Sequence, residues 1–330
     1  MTGMTEKLEL FVLEFITGGG LYNAELPASL AREGQLMLDA LLSDLDEIPN
    51  IRITTTRDAR LPDLHLPVSA TRIEGDPWPV WQTCIKTADM VWLLAPESGG
   101  VLEKLSRMTP PHKNLGCAPE AVHIATSKSA TAECLARQGI NVAPALTSLE
   151  TLSSPLLCKP DDGAGCEDTR RFDNKAEAAD WLAKHPGHIV QPFIDGEPAS
   201  ISMLCREGVA WLLACNRQLV ESDAQGLLHY RGSVLNGMAQ HWEAFAAVAS
   251  QVAKALPGLA GYVGVDLMVQ NGQVTVLEIN PRLTTSYVGL RHATGLNPAR
   301  LVLDLLYNGM AVERSINPHQ LQRNVMEIRI

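Results

Sequence analysis

The chain is poor in the features that mark several large protein classes. It has no C-x-x-C pair among its seven cysteines, which are odd in number and scattered, so a cysteine-built zinc or dithiol redox site is excluded and reduced thiols are expected. It has no Lys/Arg run, and its formal net charge is −10, so a polyanionic partner would meet long-range repulsion and nucleic-acid binding is not expected. No stretch approaches the roughly 20 uninterrupted apolar residues of a membrane helix. The apolar LELFVLEFI near the start is broken by Glu9 and Glu14 and lacks a basic leader and a small-residue cleavage site. A cytoplasmic protein without a membrane partner is therefore expected. G-x-S-x-G and G-x-x-x-x-G-K-[ST] are both missing, which removes the serine-hydrolase and P-loop readings.

What is present is an ordinary globular composition, 46% apolar and 19% charged over 330 residues, too long for one core and suited to two or three subdomains. The first third alternates strand and helix: LELFVLEFI, then SLAREGQLMLDALLSDL, IRITTT and MVWLLA. That order predicts a small parallel α/β sheet over residues 1–118. ITGGG follows the first strand, where open α/β sheets place ligands; the glycines serve either close ligand approach or a flexible turn. Glu97, after MVWLLA, is either near the same cleft or a first-turn acid favoured by the helix dipole, with Ser98 as the expected cap.

From residue 119 the pattern changes to two helical stretches, then short strands PLLCKP and HIVQPFI around a helix capped by Asn174. The remainder, 195–330, reads as the strands ASISMLCR and VAWLLACN, an Ala-rich helix near 240–256, a strand pair YVGVDLMVQ and QVTVLEI, and two final helices. The last of these, RLVLDLLYNGM, is either core or an interface, leaving a homo-oligomer open.

The strand pair carries the chemistry. Glu278 and Asn280 point to one face of their strand, and Asp266 interrupts an apolar neighbour. Burying such acids unpaired costs several kcal/mol, so three oxygen donors on adjacent strands suit a cation, with magnesium (or manganese) beside phosphate oxygens fitting best. The alternative is a solvated polar face. Facing residues of an antiparallel pair share a side. A two-residue Asn271-Gly272 turn would set Asp266 opposite Leu277, on the wrong face, so a three-residue loop pairing Asp266 with Val276 is predicted.

These residues resemble the end of an ATP-grasp domain, whose fold would comprise an N-terminal Rossmann-like pre-ATP-grasp domain (1–118), a small subdomain (119–194) and a large subdomain bearing the metal site (195–330). The resemblance implies that Asp266, Glu278 and Asn280 hold the magnesium ions bridging ATP phosphates. It also implies that Lys128 and Lys159 contact phosphates and that the loop around Gly163 and Gly165 closes over them. In QPFIDGE it implies that Gln191, Pro192, Phe193 and Ile194 line the adenine site, with the Pro192 carbonyl and Ile194 N–H bonding the base, and that Glu197 takes the ribose. EFITGGG, ADMVWLLAPESGGVL, LGCAPEAV and VLEINPRLTTSYVGL are similar more narrowly to the tyramine–glutamate ligase family of methanofuran and methylofuran biosynthesis. That likeness implies ATP-dependent γ-glutamyl amide formation from L-glutamate and tyramine or tyrosine. A ligase for another acid and amine, or a non-catalytic nucleotide-binding protein, remain the alternatives. Two positions depart from the pattern. Gly264 stands where many such ligases carry arginine, which shifts an oxyanion or carboxylate role to Arg282 unless that residue only pairs with a local acid, and Ser127 stands where aspartate is common before the first lysine. Arg217, Arg231, Tyr287 and Gly18 to Gly20 are candidate substrate neighbours.

Overall fold

The computed structural model describes residues 7–163, 166–310 and 321–330. Its first layer is a four-stranded parallel sheet of β1 (Leu8–Glu14), β2 (Ile51–Asp58), β3 (Ser69–Ile73) and β4 (Met90–Leu94) in the order β3-β2-β1-β4. β1 and β4 are continuous apolar runs because helices cover both of their faces. The covering helices are α1 (Ala28–Asp46), α2 (Trp78–Thr87) and α3 (Val101–Met108). The carboxyl ends of β1 and β4, neighbours at which the strand order reverses, carry the glycine turn Ile16–Gly20 and Glu97. Ser98 does not cap α3: a tight turn, Ser98–Gly100, intervenes, and left-handed Gly100 occupies the cap.

Helices α4 (Pro119–Thr126) and α5 (Lys128–Arg137) follow, the second capped by Ser127, whose hydroxyl accepts from the Ala130 N–H. A three-stranded antiparallel sheet comes next: β5 (Leu156–Pro160), β6 (Arg170–Phe172) and β7 (His188–Pro192), in the order β6-β5-β7. It has its own small core with α6 (Lys175–Leu182), which Asn174 caps as expected. α4 and α5 lie instead against the large sheet and its helix, joining the main core.

That large sheet has six strands, in the order β12-β11-β8-β9-β10-β13, where β8 is Glu197–Arg206, β9 Val209–Ser222, β10 Leu228–Leu235, β11 Gly261–Gln270, β12 Gln273–Asn280 and β13 Met326–Arg329. The Ala-rich α7 (Trp242–Ala255) covers one face. α8 (Tyr287–Thr294) and α9 (Pro298–Leu306) cover the other and reach α1. The apolar stripe of α9 is consumed in this core, so it needs no partner chain to bury it. Tyr287 donates to buried Asp44 at 2.9 Å, joining α8 to α1, so it is a strut and not a cavity residue.

The β11–β12 turn corrects the three-residue loop expected from the sequence. Gln270 pairs with Gln273 across a two-residue turn, with Asn271 at φ 50° and Gly272 at φ 80°, both left-handed as the tightest hairpin turn demands. The parity is recovered further along. Leu267 pairs with Val276 but Asp266 pairs with Glu278, so Leu277 is the extra residue of a bulge, and Gly264 then faces Asn280. Asp266, Glu278 and Asn280 end on one face by a device in mid-strand instead of in the turn.

Candidate active site

A cavity of about 290 Å3 opens between the small sheet, the large sheet and α1. On its wall stand Lys159 from β5, Gln191 to Ile194 at the end of β7, Asp266 from β11, and Glu278, Asn280 and Arg282 from β12 and its continuation. Segments far apart in the chain thus meet in one place. The Lys159 ammonium lies 3.7 Å from a Glu278 carboxylate oxygen, and that of Lys128, at the first turn of α5, lies 3.4 Å from the same oxygen. Lys128 lies behind the cavity wall, and its Nζ donates to the Gly163 carbonyl at 2.5 Å. Gly165 lies outside the described residues.

Asp161 supplies what Ser127 lacks. Its carboxylate accepts from the Ser127 hydroxyl at 2.6 Å, the Ser129 hydroxyl at 2.9 Å and the Ser129 N–H at 2.8 Å. Its carbonyl accepts from the Lys128 N–H. A carboxylate on the loop after β5 therefore orients Lys128 from outside its own helix. Asp162 in turn accepts from the Gly99 N–H at 3.1 Å, fastening the same loop to the first layer.

Burial pushes the Glu278 carboxyl upward, but Lys128 and Lys159 outweigh it and hold the group at about 2. Asp266 goes the other way: burial and then the neighbouring Glu278 charge drive it well above the usual carboxylate range, although Gln218 Nε2 donates to it at 2.9 Å. Burial likewise lowers Lys159 against the attraction of Glu278. Two acids in contact, one of them unfavourable as an anion, beside a buried amide are a donor set that a divalent cation satisfies. Among the described residues no group of three or more His, Cys, Asp or Glu side chains is placed to hold a metal ion, so the two acids and the Asn280 amide are the candidate donors.

Arg282 binds Glu97 of the first layer: its Nε and Nη2 donate to one carboxylate oxygen at 2.9 and 2.7 Å, and its Nη1 donates to the Leu283 carbonyl. The other Glu97 oxygen is buried without a hydrogen-bond partner. A side chain at Gly264 would force its surroundings to shift, because a Cβ would stand 2.6 Å from Thr284 Cγ2.

Other expected positions fall elsewhere, Arg231 among them. Glu197 is exposed and absent from the cavity wall, since strand alternation sends it with buried Ala199 and Ile201 away from Pro198 and Ser200, which line the cavity. The glycines at 18 to 20 are packed against Thr56, Ile73 and Phe15 and do not reach the cavity. Arg217 does not line the wall either, whereas its neighbour Gln218 does. Phe193 lies under the Arg171 guanidinium at 4.4 Å while lining the cavity at the end of β7. Gln218, Tyr230, Thr285 and Glu33 were not singled out in the sequence; the polar alternation of Asn216 and Gln218 along β9 is the signal that marks the first of them.

A family model described as an ATP-grasp domain matches residues 125–286, and one described as a pre ATP-grasp 3 domain matches residues 51–122. The chain belongs to the ATP-grasp superfamily. Within it, the tyramine–L-glutamate ligase of Methanocaldococcus jannaschii is 27% identical over 270 residues, 80% of each chain. The enzyme of that name from Methanocaldococcus fervens is 27% identical over 276 residues, 79% of this chain and 84% of its own. The crystal structure of an ATP-grasp superfamily protein from Archaeoglobus fulgidus superposes with a TM-score of 0.71 at 25% identity, covering 92% of this chain and 89% of that one. An L-amino acid ligase from Bacillus licheniformis shares the fold with a TM-score of 0.64 at 18% identity, over 92% and 75% of the two chains. This protein is an ATP-grasp ligase that uses ATP. No helix of its described residues is long and apolar enough to cross a membrane.

Proposed function

We propose that the protein joins the γ-carboxyl of L-glutamate to the amine of tyramine or tyrosine at the expense of ATP, in the cytoplasm, as a step in methanofuran or methylofuran assembly. The observation that carries the reading is the single cavity in which Lys159, Asp266, Glu278, Asn280 and the base-binding end of β7 meet, in a chain similar to tyramine–L-glutamate ligases along most of its length. In this reading a glutamate carboxylate oxygen attacks the γ-phosphorus of ATP, ADP leaves, and the acyl phosphate is then attacked by the amine with loss of phosphate and a proton.

Each residue has a physical task. Pro192 can offer only its carbonyl and Ile194 its N–H to the adenine edge, which suits one donor and one acceptor on the base. Lys128 and Lys159, both beside Glu278, are two ammonium groups that can exchange that partner for phosphate oxygens. Asp266, Glu278 and Asn280 would hold magnesium or manganese, which supplies charge neutralisation to the transferring phosphoryl group. Arg282, its orientation fixed by Glu97, presents remaining N–H groups toward the cavity for the substrate carboxylate or the acyl phosphate. No protein nucleophile is needed, because positioning and electrostatics account for phosphoryl transfer.

The missing arginine at Gly264 favours a second reading, a ligase with the same engine and another acid–amine pair. An amine screen with glutamate, ATP and magnesium, read as phosphate release and product mass, separates the two. Turnover with tyramine or tyrosine supports the first reading; inertness with both, together with turnover of another pair, replaces it with the second.

A further inference from the structure

The large sheet carries two amide side chains on β9, Asn216 and Gln218, which share a face because strand side chains alternate. Their partners differ. Asn216 is buried and spent within the sheet: its Nδ2 donates to Ser202 Oγ at 3.0 Å and Ser200 Oγ at 3.4 Å, and its Oδ1 accepts from the Asn236 N–H at 3.3 Å. Ser202 continues that network to the Tyr262 hydroxyl, which meets Thr284 Oγ1 at 3.0 Å. Gln218 reaches elsewhere. It is half-buried, lines the cavity, and its Nε2 donates to Asp266 Oδ1 at 2.9 Å.

This bond does not join adjacent strands. β8 lies between β9 and β11, and the register sets Asp266 beside Ser200 and Ser200 beside Asn216, so Gln218 comes from two strands away and one step along the face. Neighbouring strands are about 4.8 Å apart, so the bond bridges about 10 Å of sheet, a gap that needs a long side chain. Ser233, opposite Gln218 on β10, is engaged with the Tyr230 hydroxyl at 2.7 Å. Asp266 itself faces Glu278, so its own hairpin gives it a like charge. Gln218 adds an N–H from outside the hairpin without adding a charge. A lysine or arginine in its place would hold Asp266 in an ion pair that an incoming cation must break, whereas an amide occupies one carboxylate oxygen and leaves the full negative charge available.

We propose that Gln218 is the positioning residue of the cation site: by holding Asp266 Oδ1 from across β8, it fixes the carboxylate so that its other oxygen is presented to the divalent ion together with Glu278 and Asn280. This rests on the cation reading above and deepens it. Gln218 acts through Asp266 and touches neither the nucleotide nor the reacting atoms. Groups that hold a metal ligand in place by a hydrogen bond typically account for about 10- to 100-fold in metal affinity.

The test reads metal binding directly, with no acid or amine present. Mn2+ binding to the full-length protein with saturating ADP is titrated by electron paramagnetic resonance, and ADP binding in chelator is measured alongside by calorimetry. Gln218→Met is close in length and lacks the donor; Gln218→Asn keeps the amide but falls one methylene short of Asp266. Both should raise the Kd for Mn2+ at least ~10-fold, while ADP binding in chelator changes less than ~2-fold and the circular dichroism stays native. A wild-type Mn2+ Kd in both folded variants overturns the proposal. A wild-type Kd in Gln218→Asn alone overturns it as well, because cavity polarity and not the Asp266 bond would then be the cause. So does a parallel loss of ADP binding in chelator, which would make Gln218 a nucleotide contact. If the wild type itself binds no Mn2+ in the presence of ADP, the cation reading fails and this proposal with it, whereas the choice of acid and amine is judged separately by the amine screen.

Discussion

Replacing Glu97 by alanine isolates the contact that joins the first layer to the segment following β12. The Glu97 and Arg282 side chains are 5% and 14% exposed, so water screens the pair little. With one carboxylate oxygen 2.7 and 2.9 Å from two guanidinium nitrogens and charge centres roughly 4 Å apart, the attraction is about 4 kcal/mol at an effective dielectric of 20. Removing one partner leaves the other charge buried, which costs ~3–5 kcal/mol, whereas removing both costs much less because the desolvation of each is recovered. The double-mutant cycle of Glu97→Ala with Arg282→Met should therefore give a coupling of about 2–3 kcal/mol. Urea unfolding followed by tryptophan fluorescence reads it, since the chain has six tryptophans. A coupling below about 0.5 kcal/mol would refute the claim that this pair is a desolvated clamp.

Other consequences are equally specific. Gly264→Ala forces Cβ to 2.6 Å from Thr284 Cγ2, so it should lose ~1–3 kcal/mol, and Thr284→Ser, which deletes that methyl, should recover most of it in the same urea titration. Because the folded-state pKa of Asp266 is raised, its contribution to stability is present below the unfolded value and lost as pH rises through the folded one. Asp266→Asn should thus raise the melting temperature in chelator at neutral pH and abolish stabilisation by magnesium with ATP. Glu278, held at about 2, has the opposite sign: its stabilisation is complete above the ordinary glutamate value of 4.5 and is lost as pH falls toward 2. Tyr287→Phe leaves buried Asp44 without its 2.9 Å donor and should cost ~1–3 kcal/mol by urea titration without changing KM for any substrate.

Much of this architecture was legible where local pattern and burial agree. The apolar runs of β1 and β4, the cap at Asn174, and the paired strands β11 and β12 all follow from short-range chemistry. β10 was hidden because its alternation is broken at the Tyr230–Gly232 bulge, where Gly232 runs against the Ile328 carbonyl and a Cβ would stand 1.9 Å from it. β13 is four residues long and gains its identity only by pairing with β10. The register of the acid pair illustrates the limit best. The turn residues Asn271-Gly272 behave as their type demands, but the extra residue that restores parity is Leu277, an apolar side chain in an apolar strand with no local mark. The Glu97–Arg282 and Glu33–Thr285 contacts join residues 185 and 252 positions apart, a separation at which sequence pattern carries no information about distance.

The central claim is that Asp266, Glu278 and Asn280 together bind a divalent ion beside the ATP phosphates. Its most direct measurement is glutamate- and amine-dependent ADP release by Glu278→Gln across a magnesium titration, alongside the circular dichroism of the folded protein. The account predicts a native spectrum and activity reduced at least ~100-fold that no magnesium concentration restores, as expected when a group stabilising transferring charge is lost. A folded variant that turns over near the wild-type rate with an unchanged magnesium dependence would contradict it.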